Sequence, residues 1–126
     1  MNLVKTFEEA CAAKGLDPEK VLPVLPEYPS EHAKALIAAA KLFLIADVLN
    51  EGWKPDWNNY DDRKYYLWFD LEKDEQANPS GFRLISVTWY SASSDVGSRL
   101  CFRSREVAEH ASEHFLDLYK DLMIVS

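Results

Sequence analysis

The sequence predicts an α+β fold in which a three-stranded antiparallel sheet carries helices on one of its faces. Two periodicities support this prediction: apolar residues recur at helical spacing in some segments and alternate with polar residues in others. The predicted element order is α-α-β-β-β-α. Because 126 residues are enough to bury one hydrophobic core, we expect a single domain over 1–126.

Capping signals set the bounds of the first two predicted helices. Thr6 and Glu9 form a capping-box pattern ahead of a helix over 7–14 that ends at Gly15. Ser30 is the predicted cap of a long central helix over 31–50. This helix is apolar almost all round, so we expect it to be a central pillar or partly a subunit interface.

Alternating segments predict strands over 64–71 and 82–90, joined through a polar hairpin connection over 72–81. A third alternating segment, 99–103, predicts the last strand. Ser104 follows as a helix cap. The final predicted helix then has apolar residues at helical spacing: Val107, Ala111, Phe115, Leu118 and Leu122.

Strand alternation divides the predicted sheet into two faces. The core face would carry Tyr65, Leu67, Phe69, Leu71, Ile85, Val87, Trp89, Leu100 and Phe102. The opposite face would present aromatic side chains among basic ones: Tyr66, Trp68 and Tyr90 with Lys64, Arg99 and Arg103.

Aromatic rings interleaved with cations favour single-stranded nucleic acid, because bases stack on the rings and phosphates pair with the cations. The net charge of −7 disfavours such a polyanionic partner. The same surface is also consistent with packing beneath a helix or loop, or with binding to a protein partner or a second copy of the chain.

Two tryptophans, Trp53 and Trp57, flank Pro55 in a segment rich in turn-forming residues. Their indoles either plug the end of the core or act as anchors of a recognition loop. Both readings remain open at the level of sequence.

Catalytic and metal-binding patterns are weak in this chain. Glu106, His110 and His114 share one stripe of the last helix, where a solvated helix face is the preferred interpretation and a metal site the alternative. Cys11 and Cys101 have no paired spacing and are interpreted as reduced packing residues. We therefore expect no enzymatic activity and no cofactor.

Targeting and membrane signals are also weak. The first residues lack the pattern of a signal peptide, and the longest apolar run, 35–49, contains Lys41 and Asp47. These observations predict a cytoplasmic protein without membrane association.

Three segments resemble a family of short proteins from phages, prophages and mobile elements of gut bacteria. They are LNEGWKPDWNN over 49–59, KYYLWFDL over 64–71 and VGSRLCFRSREVAEHASEHFLDLY over 96–119. The resemblance implies a mobile-element setting and one α+β domain. The family has no known activity, so the resemblance assigns no activity and no catalytic residues to this chain.

The sequence thus predicts a non-enzymatic module that binds another macromolecule. The expected partner is a protein or a second copy in a homodimer, and the alternative is single-stranded nucleic acid bound through the aromatic and basic sheet face. The candidate contact residues are Trp53, Trp57, Tyr66, Trp68, Tyr90, Arg99 and Arg103.

Overall fold

The computed structural model describes residues 2–125, which form an α+β structure built on a two-stranded antiparallel sheet. Its strands are β1 (Lys64–Asp70) and β2 (Arg83–Tyr90). Its α-helices are α1 (Phe7–Lys14), α2 (Ser30–Leu49), α3 (Arg105–His114) and α4 (Leu116–Met123). The α+β class agrees with the sequence prediction, whereas the prediction of three strands and one final helix is wrong.

Local capping forms the ends of α1 and the start of α3 as predicted. The Thr6 hydroxyl accepts a hydrogen bond from the Glu9 N–H at 3.0 Å. Gly15 ends α1 in the left-handed region with φ of 70°. The Ser104 hydroxyl accepts from the Val107 N–H at 3.2 Å. These short-range bonds depend only on neighbouring residues, so the sequence pattern is sufficient to predict them.

The start of α2 differs from the prediction by one residue. Ser30 is the first helical residue, and Pro29 occupies the cap position without a side-chain hydrogen bond. At the other end α2 stops at Leu49, and the chain then turns through Glu51 and Gly52, which both have positive φ. The predicted cap at Ser30 is therefore wrong, while Gly52 does lie in the turn that follows the helix.

The predicted third strand, 99–103, is replaced by a 3₁₀ turn over Ser98–Leu100 and a single bridge between Tyr65 and Phe102. Tyr65 donates its N–H to the Phe102 carbonyl at 3.0 Å, and Phe102 donates its N–H back at 2.6 Å. Only one residue of the segment therefore pairs with β1.

The pairing with β1 does not extend further because Leu100 lies in the 3₁₀ turn and Ser104 caps α3. On the side of Phe102 away from β1, the buried side chain of Asn50 satisfies the backbone. Its amide nitrogen donates to the Cys101 carbonyl at 3.0 Å, and its amide oxygen accepts from the Arg103 N–H at 3.0 Å. These backbone groups flank Phe102 and point away from β1, because neighbouring residues of an extended chain face opposite sides. Asn50 thus supplies, from the end of α2, the two hydrogen bonds that a further strand would make.

The predicted final helix is interrupted at Phe115, whose φ of −127° and ψ of 20° are not helical. The Phe115 side chain is buried in the core. Helical apolar spacing continues on both sides of the break, which is why the sequence pattern indicates one helix where the structure has α3 and α4.

The core lies between the helices and one face of the sheet. Leu67 and Val87 of the sheet face Leu42, Ile45 and Leu49 of α2 and Val107, Ala111, Phe115 and Tyr119 of the last two helices. A register irregularity between Trp68 and Phe69 places Leu84, not Ile85, opposite Phe69. Leu71, Ile85 and Trp89 are 47%, 54% and 40% exposed, so their predicted positions in the core are wrong.

Both cysteines are free and buried, which agrees with their interpretation as packing residues. Burial raises the pKa of the Cys101 thiol to about 11 and also raises the pKa of Cys11. The thiolate is the reactive form, so neither side chain is poised for chemistry near neutral pH.

We predict that Cys101 resists alkylation in the folded protein at pH 8 and reacts readily after denaturation. Burial keeps the group protonated and inaccessible, and raising the pH toward 11 increases its thiolate fraction. Mass-spectrometric mapping of iodoacetamide adducts measures this. Equal labelling of the folded and denatured chains at pH 8 would contradict it.

We predict that Asn50→Ala lowers the free energy of unfolding by about 2 kcal/mol, because the Cys101 carbonyl and the Arg103 N–H lose their partner. Urea unfolding followed by circular dichroism measures the change. Asn58→Ala, at an exposed position, is the matched control and should change stability by less than about 0.5 kcal/mol. Equal effects of the two substitutions would show that the Asn50 amide is not a strand substitute.

Candidate interaction surface

The sequence-predicted contact residues fall into three places in the structure: the 53–62 loop, the end of α2, and the outer face of the sheet. The outer face is the side of β1 and β2 that does not pack on the helices, and it carries Tyr66, Trp68 and Tyr90. The other candidate residues make contacts within the chain, and these contacts determine how much of each side chain is accessible to a partner.

Lys64, the first residue of β1, is only 1% exposed. Its ammonium donates to the backbone carbonyls of Asp56, Asn59 and Ser91, the last two at 3.1 Å and 2.7 Å. The Asp62 carboxylate lies 3.9 Å away. Since lysine has three N–H donors, these carbonyls satisfy all of them. Lys64 therefore joins the 53–62 loop and the segment after β2 to the sheet, and it is not part of the surface.

Both tryptophans of the 53–62 loop are half-buried and use their indole N–H groups within the chain. Trp53 donates to the Asp62 carboxylate at 3.1 Å, and Trp57 donates to the Ser98 hydroxyl at 2.9 Å. The Lys64 ammonium also lies 5.2 Å from the centre of the Trp57 ring. These contacts favour the structural interpretation of the loop, in which the indoles close one end of the molecule.

Arg103 holds the end of α2. Its Nε donates to the Leu49 carbonyl at 2.9 Å, and its terminal nitrogen lies 2.9 Å from the Glu51 carboxylate. A cation at this position complements the negative end of the helix dipole. The expectation that Arg103 projects from the outer face of a sheet is wrong, because the third strand that would carry it there is absent from residues 2–125.

Arg99 is exposed in the 3₁₀ turn, and its guanidinium lies 5.8 Å from the centre of the Phe43 ring on α2. The two residues line a groove of about 510 Å³ together with Trp53, Lys54 and Pro55 of the loop. Arg99 is thus placed beside α2 and away from the aromatic residues of the sheet. Phe43 and Leu36 are the exposed large apolar residues of α2.

The outer face of the sheet retains three of the predicted aromatic residues. Tyr66 is buried and stacks on Tyr90, with ring centres 5.3 Å apart. Burial raises the pKa of the Tyr66 hydroxyl, so this group is protonated over the physiological range. Trp68 and Tyr90 are 48% and 46% exposed. The structure thus brings Tyr66, Trp68 and Tyr90 together without the basic residues expected among them.

A cleft of about 210 Å³ borders Tyr66 and Trp68 and lies between β1, the segment that follows β2 and Met123 of α4. Asp95 contributes the one charged side chain of its lining. The rest of the lining is apolar or aromatic: Tyr66, Leu67, Trp68, Phe69, Leu71, Val96 and Met123. A cleft with this volume and lining can accommodate a single apolar side chain.

On the opposite face of the sheet the structure reveals basic residues that the sequence interpretation missed. The Arg63 guanidinium lies 4.3 Å from the centre of the Trp89 ring, and the Arg105 guanidinium lies 5.6 Å from the centre of the Tyr65 ring. Extending the strand alternation by one residue would have placed Arg63 on the face of Tyr65. No local pattern indicates that Arg105, at the start of α3, reaches the same place.

The stripe of Glu106, His110 and His114 does not converge on a metal site in the described part of the chain. The His110 Nε2 lies 2.6 Å from the Val4 carbonyl, and its ring centre is 4.4 Å from that of His114. Among residues 2–125, no group of three or more His, Cys, Asp or Glu side chains is arranged to hold a metal ion. His110 thus connects α3 to the N-terminal segment.

Comparisons with family models, curated proteins and solved structures find no match to this chain. The resemblance to phage and mobile-element proteins therefore stays a prediction. Of the helices described over 2–125, none has the length and apolar character needed to span a bilayer.

We predict that Lys64→Met lowers the free energy of unfolding by about 3 kcal/mol, since three carbonyls lose their donor and Asp62 loses a nearby cation. The near-ultraviolet circular dichroism of the folded variant should also change, because Trp57 packs on this ammonium. Urea unfolding and the aromatic spectrum are the measurements.

Lys54→Met is the matched control, because Lys54 is an exposed lysine of the same loop. It should change the free energy of unfolding by less than about 0.5 kcal/mol and leave the aromatic spectrum as it is. If Lys64→Met changes the free energy of unfolding as little as this control does, the buried ammonium does not hold the 53–62 loop and the segment after β2 against the sheet.

Proposed function

We propose that this chain is a non-enzymatic protein-binding module whose contact surface is the outer face of the sheet, centred on Trp68 and Tyr90. The observation that carries the proposal is an apolar cleft of about 210 Å³ bordered by an exposed tryptophan. Large aromatic side chains beside a pocket are the usual anchors of protein interfaces.

The lining of the cleft supports binding in preference to catalysis. Its ionisable groups are Asp95 and the buried Tyr66 hydroxyl, whose pKa burial raises. General acid–base catalysis needs a group with a pKa near the working pH, which a protonated tyrosine does not provide. An apolar side chain from a partner would instead bury Leu71, Val96 and Met123, each methylene group contributing about 0.8 kcal/mol.

The nucleic-acid alternative has less support than the sequence indicated. Of the three cations expected on the outer face, Lys64 is enclosed by carbonyls, Arg103 binds the end of α2, and Arg99 lies beside Phe43. Base stacking on Trp68 and Tyr90 would thus lack nearby phosphate contacts, while the net charge of −7 repels the backbone. A protein partner remains the proposal, and a second copy is one form that this partner can take.

The proposal predicts that peptides selected from a random display library bind the wild-type chain through an apolar anchor residue. Trp68→Ser should weaken the binding of such a peptide about tenfold or more, because truncating an interface anchor costs upward of about 1.4 kcal/mol. Fluorescence anisotropy of the labelled peptide measures the affinity, and sedimentation of the free protein shows whether a second copy occupies the same surface.

Tyr60→Ser removes another exposed aromatic ring, outside the sheet, and should leave the affinity within about twofold of wild type. Selected peptides that bind the Trp68→Ser chain as tightly as wild type would place the interaction elsewhere. Salt-sensitive binding of oligothymidylate that disappears in Trp68→Ser would instead support the nucleic-acid alternative.

A further inference from the structure

The opposite face of the sheet carries a second surface, formed by Arg63, Trp89, Tyr65 and Arg105, which we call the arginine–aromatic patch. Tyr65 and Trp89 lie directly opposite each other in the register of β1 and β2. The Tyr65 backbone bonds to Phe102, so it faces away from β2 and the pair is not hydrogen-bonded. Pairs of this kind bring their side chains closer together than hydrogen-bonded pairs do, so Tyr65 and Trp89 are neighbours on this face.

An arginine guanidinium lies over each of these two rings. Arg63 lies over Trp89 at 4.3 Å, and Arg105 lies over Tyr65 at 5.6 Å. Arg105 also donates to the Val87 carbonyl at 3.0 Å, which fixes its position. Stacking on a ring uses the flat face of a guanidinium and leaves N–H groups at its edge for a carboxylate.

Neither guanidinium forms an ion pair with a carboxylate of residues 2–125, in contrast to Arg83, which pairs with Asp70 at 3.1 Å. Arg63 and Arg105 are both exposed. Two neighbouring cations without a carboxylate partner among residues 2–125 favour an external anion locally, although the net charge of the chain is −7.

We propose that the arginine–aromatic patch binds two carboxylates of an acidic segment in a partner protein. A guanidinium group already lies over the ring of Trp89 and another over the ring of Tyr65. A nucleotide base would have to displace these guanidinium groups in order to stack on the same ring faces. Two cations match two carboxylates of a short segment, whereas a nucleic acid brings many more charges against the repulsion of the whole chain.

This inference does not depend on the proposed function of the outer face, because the two surfaces lie on opposite sides of the sheet. The probe is a fluorescein-labelled peptide of alternating glutamate and serine, and its control is the same peptide with glutamine for glutamate. We expect the glutamate peptide to bind the full chain at low salt, to weaken as salt increases, and to bind more tightly than the glutamine peptide.

Arg63→Gln should weaken binding of the glutamate peptide about tenfold, and Arg63→Lys should weaken it by an intermediate factor because lysine keeps the charge but not the planar fork. Arg83→Gln removes the same charge from an arginine that already has a partner, and should change the affinity less than about twofold. Trp68→Ser should leave it as in wild type, which separates this surface from the outer face. Arg63 carries the test because Arg105 also holds β2.

Three results would overturn the proposal. The first is equal binding, or equal absence of binding, of the glutamate and glutamine peptides. The second is an equal loss in Arg63→Gln and Arg83→Gln, which would reduce the effect to total charge. The third is tighter binding of oligothymidylate than of the glutamate peptide with the same sensitivity to Arg63→Gln, which would make the patch a nucleic-acid site.

Discussion

The buried ammonium of Lys64 is the interaction on which the arrangement around the sheet depends. A lysine withdrawn from water is tolerated only when each of its donors has a partner, and here the carbonyls come from Asp56, Asn59 and Ser91. These residues lie in the loop before β1 and in the segment after β2. One charge therefore draws two irregular segments against the start of the sheet, and Trp57 closes over it. The positions of the loop tryptophans and of the segment that borders the outer cleft follow from this contact.

Asn50 also joins separate segments of the chain, next to the edge of β1 that faces away from β2. A two-stranded sheet has little independent stability, so its free edge has to be covered. Phe102 covers it with one residue, and the Asn50 amide satisfies the backbone on the far side of Phe102. The same segment places Arg103 against Leu49 and Glu51. The end of α2 and the bridge to β1 are thus one hydrogen-bonded unit.

The sequence predicts the parts of this structure that depend on near neighbours. The Thr6 and Ser104 caps and the turn at Gly15 form where the pattern indicates, because each involves residues at most four apart. The third strand was predicted from an alternation that is real, yet Leu100 lies in a 3₁₀ turn and Ser104 caps a helix, so only Phe102 pairs with β1. The backbone on the other side of Phe102 is bound by Asn50, about fifty residues away. Similarly, alternation placed Lys64 on the surface with Tyr66, and only the fold brings three carbonyls around its ammonium. The aromatic part of the candidate site was therefore predictable, since rings follow strand periodicity, whereas the basic part was not.

The cations lie elsewhere than the sequence predicts, and the two faces of the sheet therefore differ in chemistry. On the outer face the rings of Trp68 and Tyr90 remain exposed, and the charged group nearest the cleft is the carboxylate of Asp95. On the other face Trp89 is 40% exposed, and Arg63 and Arg105 lie over the paired rings of Trp89 and Tyr65. A wider sheet with a helix layer along its whole length would bury Trp89 and leave no room for either guanidinium. The small size of the sheet, which makes Lys64 and Asn50 necessary as anchors, is thus also the reason that both of its faces keep aromatic surface available for partners.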